Sequence, residues 1–284
     1  MQLCIENSIL NYKNTMNDFI TPNVPKLDLN VKPHLKWFYK NNKSGSAFTG
    51  DALPELQAVD SNPLIDALSI KSLTPSQLSA YYGFNKANSY GQGQTIYIVT
   101  AYGNPNVQSD LDYFCNQFNL PKTSIATYYP FGAPVLSSIY ANSPLGQDIF
   151  GWSIETSLDI QWAHTMAPSA NIALIVSPDT NVTNLCNCVY FVTDYLSGSI
   201  VSMSWGVDES TMGAYNAIYD STYFENKKAA LIAASGDTLN ILSFPAVCPN
   251  VLSIGGTSLV GGTSLNYNVS TGTFYERAWS GSGG

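Results

Sequence analysis

From residue 73 onward the apolar and polar positions follow two alternating rhythms. Thr74 followed by Pro75 marks a helix start with proline at the first helical position, and Leu78, Tyr81 and Tyr82 supply its apolar side. The β-branched run TIYIVTA (95–101) predicts a strand, and a GNPN turn leads into a helix over 107–118. Residues 128–150 read as a long loop. The continuous apolar run NIALIVS (171–177) predicts a buried strand, followed by a helix over 182–196 and a strand over 199–204. A helix over 213–227, a strand over 229–235 and one more strand within 244–256 complete the pattern. Strands alternating with helices of this length predict an α/β domain whose mostly parallel, twisted sheet carries helices on both faces. Residues 1–72 are different: Pro22, Pro25, Pro33, Pro54 and Pro63 interrupt long helices, and NNKSGSAFTGD (41–51) reads as a loop. The chain thus divides into an irregular arm at 1–72, whose apolar Trp37, Phe38 and Tyr39 suit docking, and a domain at 73–284.

Within that domain, GWSIETSLDIQWAHTMAPSA (151–170) places Glu155 and Asp159 four residues apart on one helix. At that spacing their Cβ atoms lie roughly 6 Å apart, so the acids compete for one proton: one stays ionised while the pKa of the other rises. Ile154, Leu158, Trp162 and Met166 recur at helical spacing beside them, which predicts that the acids border a buried stripe. Pro168 ends the helix. The competing reading is an amphipathic helix whose acids are solvated. A second candidate lies in AALIAASGDT (229–238), where a hydrophobic strand runs into Ser-Gly-Asp at the end of a parallel sheet, where functional loops gather. Asp237 is its ionisable group, although Ser-Gly-Asp is also ordinary turn chemistry.

Composition narrows the function. Only 11% of the residues are charged, against about 25% in a typical domain, so acidification costs this surface little. The net charge of -8, without clustered Lys or Arg, excludes a nucleic-acid partner. No run of 18 apolar residues is present to span a membrane, and the N-terminal stretch, with Glu6 early, does not read as a signal peptide. Cys4, Cys115, Cys186, Cys188 and Cys248 form no C-x-x-C, and His34 and His164 lie far apart, so a zinc site is not expected. One or two disulfides are compatible with these cysteines, but Cys186 and Cys188, two apart on a helix, point to different faces. Sequons at Asn42, Asn181 and Asn268 fit a secreted, glycosylated chain, and also fit chance in an Asn-rich sequence.

LTPSQLSAYYGF (73–84), GQGQTIYIVTAYGNPN (91–106), GWSIETSLDIQWAHTMAP (151–168), VSMSWG (201–206), ASGD (234–237), FPAVCPNVLSIGGTSL (244–259) and ERAWSGSGG (276–284) stand in an order and spacing that resemble the sedolisins. These are serine-carboxyl peptidases with a subtilisin-like fold, in which a helix-borne Glu and Asp replace the histidine of subtilisin. The resemblance implies that Glu155 is the general base, that Asp159 holds and tunes it, and that a protonated Asp237 donates to the oxyanion. A carboxylate base stays ionised down to about pH 4, and a neutral acid is a sound oxyanion donor in acid. Trp205, which by itself reads as a core aromatic, and Gly206 fall where relatives border the substrate cleft, and residues 1–72 fall where relatives carry a propeptide domain, of which they would be a remnant too short for a complete copy. At Thr100 many relatives carry a third acid; a threonine there can hydrogen-bond a neighbouring carboxyl but removes a charge. His164 reads as a helix-terminal residue facing the last carbonyls.

The largest departure is the nucleophile, which in the family lies in Gly-Thr-Ser-x-x-x-Pro. Neither Gly-Thr-Ser triplet here, at 256–258 or 262–264, has that proline. Ser258, Ser264, Ser280 and Ser282 are the nearby serines, and none suits a strand-to-helix turn. The family's calcium loop is likewise expected downstream of this sequence, leaving no cofactor in it. The expectation is therefore a subtilisin-like domain lacking its C-terminal part, inactive alone, exposing an apolar patch, and open to a complementing C-terminal chain. Its partner is a peptide or protein substrate, and its location, by resemblance, is extracellular. The rival is a non-catalytic module that grips peptides. A glycosidase fits poorly, because its carboxyls flank a bond from opposite sides about 5–10 Å apart.

Overall fold

The computed structural model describes residues 21–33, 73–84, 90–136, 144–261 and 274–283. The predicted strands carry long β-branched or continuous apolar runs, and they form the frame. Strands β2 (Thr95–Ala101), β3 (Ile125–Tyr128), β4 (Asn171–Ser177), β5 (Ile200–Met203), β7 (Ala230–Ala234) and β9 (Val251–Ile254) make one six-stranded sheet in the order β3-β4-β2-β5-β7-β9. All five pairings are parallel, and β2 and β4 stay in register from Thr95 and Asn171 to Ala101 and Ser177. The boundaries of β2, β4 and the helix Val107–Phe118 are those expected from the pattern.

Side chains alternate across a strand, so β2 divides its residues between two cores. Val99 and Ala101 join Ile175, Val201, Met203 and Leu231 beneath the helix Val182–Tyr190 and the aromatic group Tyr219, Tyr223 and Phe224. Ile98 joins Ile172, Leu174 and Val176 on the other face, against Val107, Leu111 and Cys115 and against Ile160 of the helix Pro144–Met166. Helices therefore cover both faces, as the alternation of elements predicts.

Four expectations change. The carboxylate helix starts at Pro144, well inside the expected 128–150 loop; proline at a helix start gives up an N–H that has no intrahelical partner there. Strand β3 (Ile125–Tyr128), too short to show a pattern, lies at the sheet edge. The helix expected over 213–227 is instead two short helices, Glu209–Met212 and Tyr215–Tyr219, and a π-turn, Asp220–Phe224. Gly213, at φ +51°, ends the first of them. The region 243–278 forms Ser243–Phe244 (β8), β9 and an antiparallel hairpin of Thr257–Gly261 (β10) with Phe274–Ala278 (β11).

Of the N-terminal arm, residues 21–33 are described; Trp37, Phe38 and Tyr39 lie outside the described residues. Residues 32 and 33 form β1 (Lys32–Pro33), antiparallel to β6 (Trp205–Asp208), which pairs in turn with β8. At the far edge of the main sheet Leu252 and Ile254 are exposed, as are Leu239, Ile241 and Leu242 of the preceding loop. None of the four described cysteines forms a disulfide; Cys4 is outside the described residues.

Candidate active site

Parallel strands deliver their C-terminal ends to one side of the sheet. Here that side collects Thr100 at the end of β2, Ser204 just after β5 and Asp237 just after β7. The helix Pro144–Met166 packs beside β2 and carries Glu155 and Asp159 to the same place. Its buried face is Trp152, Glu155, Thr156, Ile160 and His164. The expected stripe of Ile154, Leu158, Trp162 and Met166 is less buried, with Leu158 exposed. Apolar residues occur on every side of this helix, so spacing alone could not decide which side meets the sheet. The consequence is chemical: Glu155 is 3% exposed, on the packed face. It is not a solvated acid.

Asp159 is half-buried, and its Oδ1 accepts a hydrogen bond from the Ser204 hydroxyl at 2.7 Å. Burial raises the Glu155 carboxyl far above the ordinary carboxylate range; the Asp159 charge, a hydrogen bond with Asp159 and the Asp237 charge push the same way, while Ser204 opposes them. Asp159 is also raised by burial, against the Ser204 and Glu155 hydrogen bonds that favour its ionised form. The two acids titrate as a pair. Glu155, deeper and less well bonded, is the better place for a shared proton, and Asp159, held by Ser204, is the better place for the charge. One oxygen of Glu155, Oε2, has no hydrogen-bond partner.

Asp237 is close enough to act electrostatically on Glu155, so the helix pair and the strand-end acid are brought together. Gly236, at φ +106°, makes the turn that presents it. The loop rests on the C-terminal residues: the Ser235 hydroxyl lies 3.2 Å from that of Ser282, and the Gly283 amide donates to Gly236 O at 2.7 Å.

Thr100 behaves differently from expectation. Its hydroxyl lies 3.1 Å from that of Thr156 and donates weakly to the Ala101 carbonyl, with no bond to a carboxyl; Thr156 in turn donates to Trp152 O at 2.7 Å. The group that reaches the acids is Ser204, which the sequence reading left unassigned although it precedes Trp205 in SMSWG. Trp205 is fully buried, and its indole N–H donates to Val99 O at 3.0 Å. What Trp205 and Gly206 offer outward is backbone, paired with Pro33 and Lys32. His164 is fully buried with Nε2 2.6 Å from Pro121 O, so it joins the helix to a neighbouring loop and leaves the helix's own carbonyls alone.

Of the serines weighed as nucleophiles, Ser258 lies in β10 opposite Arg277, and Ser282 Oγ accepts from the Gly256 amide at 2.9 Å. Ser280 is exposed in the turn after β11, and Ser264 lies outside the described residues. Among the sequons, Asn181 is committed internally: its Oδ1 caps the Thr183 amide at 3.0 Å and its Nδ2 donates to Leu27 O at 2.8 Å. Asn42 and Asn268 are outside the described residues. No group of three His, Cys, Asp or Glu residues is arranged to hold a metal among the described residues, and no described helix is long and apolar enough to cross a membrane.

No protein-family model matches the chain. Kumamolisin of Bacillus sp. (strain MN-32) is 32% identical over 200 residues, which cover 66% of this chain and 34% of that protein. The chain thus spans about a third of the length of the curated relative it matches. Among solved structures, Pseudomonas sedolisin, a serine-carboxyl proteinase complexed with two molecules of pseudo-iodotyrostatin, superposes with a TM-score of 0.52 at 20% identity, covering 72% of this chain and 58% of that one. This likeness shows a shared subtilisin-like α/β fold.

Proposed function

The chain belongs to the sedolisin family of serine-carboxyl peptidases, and from that premise we propose that Glu155, Asp159 and Asp237 are the acid–base and oxyanion groups of an acid-acting endopeptidase site. The observation that carries the reading is the burial of Glu155 against Asp159 within electrostatic reach of Asp237. A structural helix gains nothing from a buried acid pair, because desolvation costs more than such a pair returns, and strongly perturbed carboxyls in a cleft mark functional sites. With one proton on the pair, Glu155 passes it to Asp159, whose charge Ser204 has stabilised until then, as it takes the proton of a serine hydroxyl, so the negative charge moves from Asp159 to the serine oxygen as that oxygen attacks. Asp237, at the end of β7, faces the oxyanion of the tetrahedral intermediate. The backbone of Trp205 and Gly206 holds the peptide substrate.

Of the serines weighed as nucleophiles, Ser258 is set in a hairpin strand, Ser280 is exposed in a turn and the Ser282 hydroxyl is engaged by the Gly256 amide. We therefore assign this chain the base and the oxyanion donor, with the serine supplied by a segment carrying Gly-Thr-Ser-x-x-x-Pro; the exposed Leu252 and Ile254 are the surface such a segment would cover. Calcium, if used, would bind there too, and secretion is the setting that suits the family. A non-catalytic peptide-binding homologue is the second reading, favoured by Thr100, which bonds Thr156 and no carboxyl where many relatives carry a third acid. The test is hydrolysis of a mixed peptide library between about pH 3 and 7 by the 284-residue chain, alone and with that segment added. Cleavage only in the presence of the segment, lost in Glu155→Gln, supports the proposal. Cleavage by the chain alone that survives every serine substitution contradicts it.

A further inference from the structure

Four of the five cysteines are described, and all four are buried thiols outside the candidate active site. Cys115 lies in the core on one face of the sheet, and Cys186, Cys188 and Cys248 lie in the core on the other. An α-helix turns 100° per residue, so on the helix Val182–Tyr190 one face carries Thr183, Cys186 and Asn187 and another carries Asn184 and Cys188. The first face is fastened to residues 215–224: the Thr183 hydroxyl lies 2.7 Å from Tyr219 Oη, and Tyr223 Oη donates to Asn187 Oδ1 at 2.8 Å. Phe244 of β8 closes the same aromatic group, with ring centroids 6.1 Å from Tyr219 and 5.6 Å from Phe224. The chain then turns at once. The Cys248 amide donates to Pro245 O at 2.9 Å, and Cys248 O accepts from the Val251 amide at 3.0 Å as β9 begins. Cys186 and Cys248 thus meet the aromatic group from two sides, at 0% and 3% exposure, close enough to act on each other electrostatically. Cys188 faces elsewhere: the charge that acts on it is Asp179, which accepts from Asn184 of the same helix face at 2.9 and 3.0 Å.

We propose that Cys186 and Cys248 are the partners of a disulfide that closes as the chain folds in an oxidising compartment, while Cys115 and Cys188 stay thiols. The structure shows the dithiol form of the pair. The oxidant is a small-molecule disulfide such as oxidised glutathione. One cysteine attacks it as a thiolate, forming a mixed disulfide and releasing one glutathione thiol; the second cysteine then displaces the other, so the two protein thiols give up two electrons and two protons and the reagent becomes two thiols. Burial raises both protein thiols, and the Asp220 charge raises Cys248 further, so neither is a reactive thiolate once folded. Closure therefore belongs to the folding chain, and the finished bond is shielded from reductants. The bond joins the helix Val182–Tyr190 to the turn that enters β9, the edge strand on which Leu252 and Ile254 are exposed. It fastens the margin of the sheet that has a neighbour on one side only.

The full chain, unfolded in urea with reductant, is refolded in a mixture of reduced and oxidised glutathione, trapped with iodoacetamide, digested and mapped by mass spectrometry. A chain that does not refold is instead exported to the periplasm of a bacterial host and trapped at lysis. A linked peptide should join Cys186 to Cys248, with fragmentation between residues 186 and 188 placing the bond, and Cys115 and Cys188 should carry the alkyl group. Cys188→Ser should keep the link, and Cys186→Ser or Cys248→Ser should lose it. By urea unfolding, a bond closing a loop of about 60 residues should raise the folded-to-unfolded ratio about 30- to 700-fold over the same protein held in reductant. The Cys186→Ser variant should unfold alike with and without reductant. Both thiols alkylated in a chain that unfolds cooperatively, a link from either to Cys4, Cys115 or Cys188, or a linked chain no more stable than the reduced one overturns the assignment. Where the serine variants do not fold, the map and the redox difference of the unmodified chain decide. Peptide hydrolysis enters none of these measurements, so the disulfide and the peptidase reading stand or fall separately.

Discussion

Replacing Glu155 with glutamine should make the protein more stable at neutral pH, and the gain should vanish in acid. In the folded chain the Glu155 carboxyl is raised above its ordinary range, chiefly by burial and then by Asp159 and Asp237. A folded-state pKa above the unfolded value means that the native state binds the extra proton. The stability this gives is complete below the ordinary glutamate pKa of about 4.3 and is lost progressively as pH rises above it. The slope for one proton is ~1.4 kcal/mol per pH unit. Between pH 4.5 and 7 this amounts to ~3 kcal/mol for a group that stays protonated when folded. Glutamine has nearly the same shape and never ionises, so the variant escapes that slope. The acidic surface is common to both proteins and cancels in the difference, and the amide of the variant keeps a donor toward Asp159 as the protonated acid does. Urea unfolding of both at pH 4, 5, 6 and 7 gives the comparison. The two should nearly coincide at pH 4 and diverge upward in favour of Glu155→Gln, by on the order of 3 kcal/mol at pH 7. Parallel profiles, or a variant that is less stable at pH 7 than at pH 4 relative to the parent, would refute the protonated, buried Glu155.

Three further substitutions separate strong from weak contacts. Ser204→Ala removes the donor to Asp159 Oδ1; a hydrogen bond to a charged group is worth about 1.5–3 kcal/mol, so the loss should be seen by urea unfolding at pH 7 and shrink at pH 3, where Asp159 is protonated. Trp205→Phe leaves the Val99 carbonyl without its 3.0 Å indole donor and should cost about 1–3 kcal/mol for the unsatisfied group, with some further loss from the smaller ring, in the same assay at any pH. Lys227→Met breaks the 2.7 Å ion pair with Asp194 and the cation–π contact 4.6 Å from the Tyr190 ring. Because Asp194 is a third exposed, this pair is worth no more than ~1 kcal/mol and should weaken further in high salt.

The sheet was legible because its strands advertise themselves. TIYIVTA and NIALIVS combine β-branched or continuous apolar character with sharp polar boundaries, and both strands begin and end where the sequence says. The carboxylate helix was legible as a helix but not in its orientation, since Ile154, Leu158 and Trp162 look as fit for burial as Trp152, Thr156 and Ile160. Facing is decided by what the sheet presents, here Ile98 and Thr100, and that is tertiary information. The candidate acids could be named only because the family resemblance gave their spacing a meaning; four residues between two acids is common on solvated helices. Ser204 was missed for a related reason, since a lone serine after a strand has no spacing signal. The arm itself was expected, but the strand within it was not. Its prolines drew attention away from LDLNV, whose period-2 alternation is a strand signal that could have been read.

The account turns on a pair of carboxyls that holds one proton well above the pH at which ordinary acids lose theirs. Carbon-13 NMR of the side-chain carboxyls of Glu155 and Asp159, followed from about pH 3 to 8 and assigned with Glu155→Gln and Asp159→Asn, reads that proton directly. The account predicts two coupled steps, both displaced above the ordinary carboxylate range, with the Glu155 signal still that of a protonated acid near pH 7. Two independent titrations completed by about pH 5, as for solvated acids, would contradict it.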